Sequence, residues 1–125
     1  QKRTKIFEDF SFWMRVAYSF DVLGISEWVE VVSKKTKKEQ VDLLLYTTNI
    51  IRQCIVYNFT TRELFLQNKE ESGFVKKFAP FINNKNIIPF FEKTEECIKM
   101  INRNGNKKIL FFELSLQYAK LLKFK

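Results

Sequence analysis

The groups in this sequence that could do chemistry are lysines, scattered carboxylates and two thiols, with no imidazole to work beside them. The densest cluster is Lys34, Lys35, Lys37 and Lys38, and a second basic pair, Lys107 and Lys108, follows Arg103-Asn104-Gly105-Asn106. Ammonium groups at such spacing can neutralise phosphates without reading bases. These lysines are therefore candidate DNA-facing residues, and a solvated loop is the simpler alternative. Glu92, Glu95 and Glu96 offer paired carboxylates, but helical spacing sets them on a wet face, where solvated charge is the rule. Cys54 and Cys97 stand far apart and outside any CxxC pair. That argues against zinc and for small buried apolar residues in a reducing compartment. The chain holds no histidine, so the commonest general base and metal ligand is missing. No phosphate-binding glycine loop and no EF-hand spacing occurs. The expectation is a domain with no catalytic, cofactor or metal residue of its own and no small-molecule substrate.

The composition says what can carry these groups. A chain of 125 residues is one domain of ordinary size, long enough for a real core. It is 46% apolar and 16% aromatic, with fourteen phenylalanines, which fits a folded globule. Three glycines and two prolines leave too little punctuation for a many-turned β-sandwich, so long helices are expected. The net charge of +8 favours an acidic partner such as nucleic acid. A base composition rich in Ile, Asn, Phe and Lys codons would produce the same excess without any binding. No signal peptide is visible, and no apolar run approaches the ~20 residues of a membrane span. A cytoplasmic protein without a membrane partner is expected. The first residue is not Met, which suggests a fragment.

Read in order, the chain predicts a bundle of five or six helices. The first runs from about Thr4 to Leu23, with Ile6, Phe7, Phe10, Trp13, Met14, Ala17 and Phe20 at helical spacing and Gly24 placed to end it. Trp13 and Tyr18 read as core. Ser26 is the expected N-cap of a short helix carrying Trp28, Val29, Val31 and Val32, with a strand as the alternative that the valines leave open. Thr36 and Glu39 fit a capping box, opening a third helix from about Lys37 to Asn58 with Val41, Leu44, Leu45, Thr48, Ile51 and Ile55 inward. Arg52 on that helix is either a surface charge or a partner for a carboxylate across helices or subunits. Thr60 or Thr61 is expected to cap a short turn with Leu64, Phe65 and Leu66. A helix from Glu70 to Ile82 then carries Phe74, Phe78 and Phe81. The next begins near Asn86, tolerates Pro89 in its first turn, and turns Ile87, Phe91, Thr94, Ile98 and Ile101 inward.

The last quarter organises the rest. Gly105, between two asparagines, suits the positive φ of a helix end, and Asn106 can cap the final helix. Beyond it lie two apolar stripes, Ile109/Phe112/Leu116/Ala119 and Leu110/Leu114/Tyr118/Leu121. A lone globule needs one stripe from a surface helix. A central core helix is one reading, and a helix shared between core and subunit interface is the other.

The run Ser72-Gly73-Phe74 through Phe78, Phe81, Ile82 and Asn83, and the turn Arg103-Asn104-Gly105-Asn106 feeding an apolar helix, resemble the C-terminal collar domain of the bacterial clamp-loader delta-prime subunit. Phe12-Trp13-Met14-Arg15 and Ile51-Arg52-Gln53 look like its first and third helices. The likeness covers nearly the whole chain, but its motifs are helix faces and one turn. A gamma/tau-type collar is a near neighbour. The resemblance implies an all-helical collar domain that assembles with gamma/tau and delta subunits into a hetero-oligomeric ring near DNA. It also implies AAA+ modules N-terminal to this stretch that bind ATP, so the collar itself would not hydrolyse it. Candidate interface residues, taken from the turn and the second stripe, are Arg103, Asn104, Asn106, Phe111, Leu114, Tyr118 and Leu121. A free-standing, basic, nucleic-acid-binding helical domain is the alternative from another class.

Overall fold

A computed structural model describes residues 2–60 and 69–123, which form an all-α bundle of six helices and contain no strand. The order is α1 (Lys2–Tyr18), α2 (Val22–Ser33), α3 (Lys37–Thr60), α4 (Lys69–Phe78), a 3-10 turn (Ala79–Phe81), α5 (Ile87–Asn102) and α6 (Lys107–Leu122). The expected turn at Thr61, Leu64, Phe65 and Leu66 lies outside the described residues. One group packs α6 against α1, α2 and α5, and another packs α3 against α1, α4, α5 and the 3-10 turn. Two helices, α1 and α5, belong to both groups and join them.

Helix α1 ends earlier than periodicity predicts, and not at Gly24. Asp21 N–H reaches the Val16 carbonyl and Phe20 N–H the Ala17 carbonyl, while Phe20 takes φ 55°. That is the double-bonded left-handed helix end that glycine usually makes; here a phenylalanine makes it. Asp21 then caps α2, its Oδ1 accepting from Gly24 N–H at 3.0 Å. Ser26, the expected cap, lies inside α2. Gly24 is small for a different reason: a Cβ there would sit 2.8 Å from Val16 Cγ1 and 2.8 Å from Asp21 Oδ2. The glycine permits close approach of α2 to α1.

The capping box at the start of α3 forms as expected. Thr36 Oγ1 accepts from Glu39 N–H at 3.1 Å, and Glu39 Oε1 accepts from Thr36 N–H at 2.9 Å. Buried Gln40 donates to the Val32 and Lys35 carbonyls at 3.0 and 3.1 Å, so it satisfies the end of α2. The inner face of α3 is rotated from the expected one. Leu43, Leu44, Tyr46, Thr47, Ile50, Ile51 and Cys54 are buried, whereas Leu45 is exposed. Several neighbours surround this helix, so no single stripe identifies its core side. On α5, likewise, Phe90, Thr94, Cys97 and Ile101 are buried, and Ile87, Phe91 and Ile98 only flank them.

Asparagine fastens the entry to α5. Asn86 is fully buried, donates to the carbonyls of Phe81 (2.8 Å) and Leu121 (3.0 Å), and accepts from Asn83 N–H (2.8 Å). One side chain so ties the 3-10 turn, α5 and the far end of α6. Asn58 acts in a similar way, donating to the Ala79 and Ile82 carbonyls at 2.9 Å each.

Candidate functional site

Helix α6 starts from a turn built as the sequence suggests, with one exchange of roles. Asn104, at φ 64°, takes the left-handed position, and Gly105 does not. Asn104 N–H donates to the Ile101 carbonyl and Gly105 N–H to the Met100 carbonyl, both at 2.9 Å, closing α5. Gly105 is needed for space. A Cβ there would stand 3.0 Å from Leu110 Cδ1 and 3.1 Å from the Met100 carbonyl oxygen. Asn106 caps α6 by accepting from Ile109 N–H at 3.1 Å. Arg103, Asn104 and Asn106 are all exposed.

The rest of the expected interface is not surface. Phe111, Leu114, Tyr118 and Leu121 are 0–6% exposed within this single chain. They are core residues and are not available to a partner. Trp13 and Trp28 stack 4.3 Å apart, and Phe111 meets both edge-on, at 6.2 and 5.7 Å. Tyr118 lies against Trp13 and Phe90, and its hydroxyl bonds the Thr94 hydroxyl. Burial pushes its phenol up. Tyr18, also expected in the core, is exposed, with its ring 4.8 Å from Phe81. Ser115, polar by type, is fully buried. Its Oγ accepts from Trp13 Nε1–H at 2.7 Å and donates to the Phe111 carbonyl.

What α6 leaves open is the other stripe. Ile109 is 62% exposed, Phe112 and Leu116 are half-buried, and Ala119 closes into the core. Ile109, Phe112 and Leu116, with Val29, line a shallow groove between α2 and α6, rimmed by Ser26, Glu30, Lys108 and Glu113. On the other flank of α6, Leu110, Met100 and Cys97 line a second groove with Lys93, Glu96, Glu113 and Gln117. The apolar surplus of the helix is real, but it lies on Ile109, Phe112 and Leu116 and not on the residues picked from the second stripe.

The basic residues fall at the same end of the bundle. Lys37 Nζ donates to Asn104 Oδ1 at 2.8 Å, which joins the α2–α3 turn to the α5–α6 turn. Lys108 pairs with Glu30 at 3.0 Å, and its ammonium holds the Glu30 carboxyl below the usual carboxylate range, with Lys34 adding to the effect. Lys35 pairs with Asp9 at 3.4 Å and Lys38 with Asp42 at 3.1 Å. The more exposed pairs, Lys108–Glu30 and Lys38–Asp42, hold little energy, whereas Lys35 and Asp9 are half-buried. Lys34 is exposed and Lys107 half-buried. Arg52 is exposed and lies over the Phe91 ring at 5.9 Å. Both cysteines are free and buried, and burial raises each thiol to about 12. Such thiols are poor nucleophiles.

Among the described residues, no cluster of His, Cys, Asp or Glu is able to hold a metal ion, and no helix is long and apolar enough to cross a membrane. Compared with protein-family models, curated proteins and solved structures, the chain matches none of them.

Proposed function

We propose that this chain is a subunit-assembly domain, the collar domain of a DNA polymerase III clamp loader of the delta-prime type. In this reading it holds its place in a hetero-oligomeric ring with gamma/tau and delta subunits in the cytoplasm. The ring loads the sliding clamp on primed DNA, with ATP bound by AAA+ modules outside this stretch. The domain contributes position and no catalytic group. A gamma/tau-type collar has the same architecture and is the near variant of this proposal.

The observation that carries it is the apolar stripe of exposed Ile109 and half-buried Phe112 and Leu116, left at the surface of a helix whose core side is already packed by α1, α2 and α5. One exposed and two half-buried apolar side chains aligned along one helix edge are what a packed neighbour would cover. The all-α bundle and the Arg103-Asn104-Gly105-Asn106 turn support the same reading through the resemblance that they carry.

The test is co-purification with the other clamp-loader subunits, using an Ile109→Asp, Leu116→Gln variant. Ile109 lies in the first turn of α6, where an acidic residue complements the helix dipole, so the helix should tolerate the change. Loss of complex formation with unchanged helical circular dichroism is expected. A folded variant that still enters the complex normally would overturn the assignment of this edge.

A further inference from the structure

Two basic turns that are distant in sequence meet at one end of the bundle, and the Lys37–Asn104 hydrogen bond spans 67 residues to join them. Around that junction stand Lys34, Lys37, Arg103, Lys107 and Lys108. Among the described residues only Lys108 of these five has a carboxylate within ion-pair distance. Helix dipoles do not create the field here. The C-termini of α2 and α5 lie beside the N-termini of α3 and α6, so their end charges oppose one another. The positive potential belongs to the side chains.

We propose that this end of the bundle is a docking surface for the phosphate backbone of duplex nucleic acid. The proposal rests on different side chains from the assembly reading, although Lys108 also rims the groove beside Ile109. The chemistry fits phosphates: four lysines and one arginine supply point charges and a guanidinium fork without a pocket that would select a base. Unpaired bases are not the favoured partner, since they need exposed rings on which to stack. Of the exposed rings, Tyr18, Phe20 and Phe59 lie near the C-terminus of α1, the N-terminus of α2 and the C-terminus of α3, and Phe12 lies midway along α1. An overall charge of +8 strengthens encounter with any polyanion but does not localise it. The localisation comes from the joined turns.

The experiment is fluorescence anisotropy of a labelled duplex of about 20 base pairs, titrated between ~50 and ~200 mM salt, the range over which counterion release is large. One variant carries Lys34→Gln, Lys37→Gln, Arg103→Gln and Lys107→Gln. A control loses the same charge elsewhere, through Lys76→Gln, Lys77→Gln, Lys120→Gln and Lys123→Gln. The proposal expects the first variant to lower the slope of log K against log salt by about 3 and to weaken binding more than about tenfold. The control should keep its slope within about 1. Equal losses in the two variants would mean that net charge alone drives binding and would overturn the site. Absence of binding by the wild-type protein at ~50 mM salt would overturn it as well. So would displacement of the duplex by polyglutamate as readily as by unlabelled DNA, which would point to an acidic protein partner.

Discussion

Ser115 shows how much one buried polar atom can organise. Its hydroxyl receives the only polar proton of the Trp13 side chain and passes its own to the Phe111 carbonyl. The two tryptophans can therefore stack at the centre of the molecule without leaving an indole N–H stranded. Removing the hydroxyl strands it. Ser115→Ala is expected to cost about 1–3 kcal/mol, the penalty of an unsatisfied buried donor, read as a lower urea midpoint at constant m-value. A change below about 0.5 kcal/mol would mean that Trp13 finds another acceptor. The sequence marks Ser115 as polar and gives no sign that it is buried. Periodicity registers hydrophobicity, not satisfaction, and the bond that permits burial comes from a residue 102 positions away. Phe20 illustrates the same limit in the backbone. Positive φ is expected at glycine, yet Phe20 adopts it and Gly24 and Gly105 serve steric close approach.

At the scale of the element, the two-striped pattern of α6 is legible in the sequence and its assignment is not. Both stripes are equally apolar in sequence, and only the placement of α1, α2 and α5 decides which one is enclosed. The enclosed side is expected to respond as core. Leu114→Ala should destabilise by about 2–5 kcal/mol, as large-to-small changes in packed interiors do. Ile109→Ala, on the open edge, should stay within about 0.5 kcal/mol. Thermal or urea unfolding of the two single variants measures the contrast directly, and similar losses at both positions would show that the open edge is packed after all. Helices α3 and α5 repeat the lesson: each is bordered on more than one side, so the buried face is broader than one stripe and rotated from it. The capping box at Thr36 and Glu39 and the cap at Asn106 are legible, because caps depend on residues three apart and on nothing distant.

For the whole molecule, an all-α bundle of five or six helices follows from few glycines, few prolines and sustained helical spacing, and the described residues form six. The convergence of the two basic turns is not legible, since it depends on α2, α3, α5 and α6 all ending or starting at one pole. The apolar edge and the basic pole adjoin at Lys108 and Ile109 but use different side chains, so each can be tested by its own substitutions. The most direct test of the ring is a photo-activated cross-linking residue placed at position 109, with a second protein carrying it at Lys120 as control, each assembled with the gamma/tau and delta subunits. The account predicts a covalent adduct to a neighbouring subunit from position 109, with little or none from position 120. An assembled complex that gives no adduct from position 109 would contradict it.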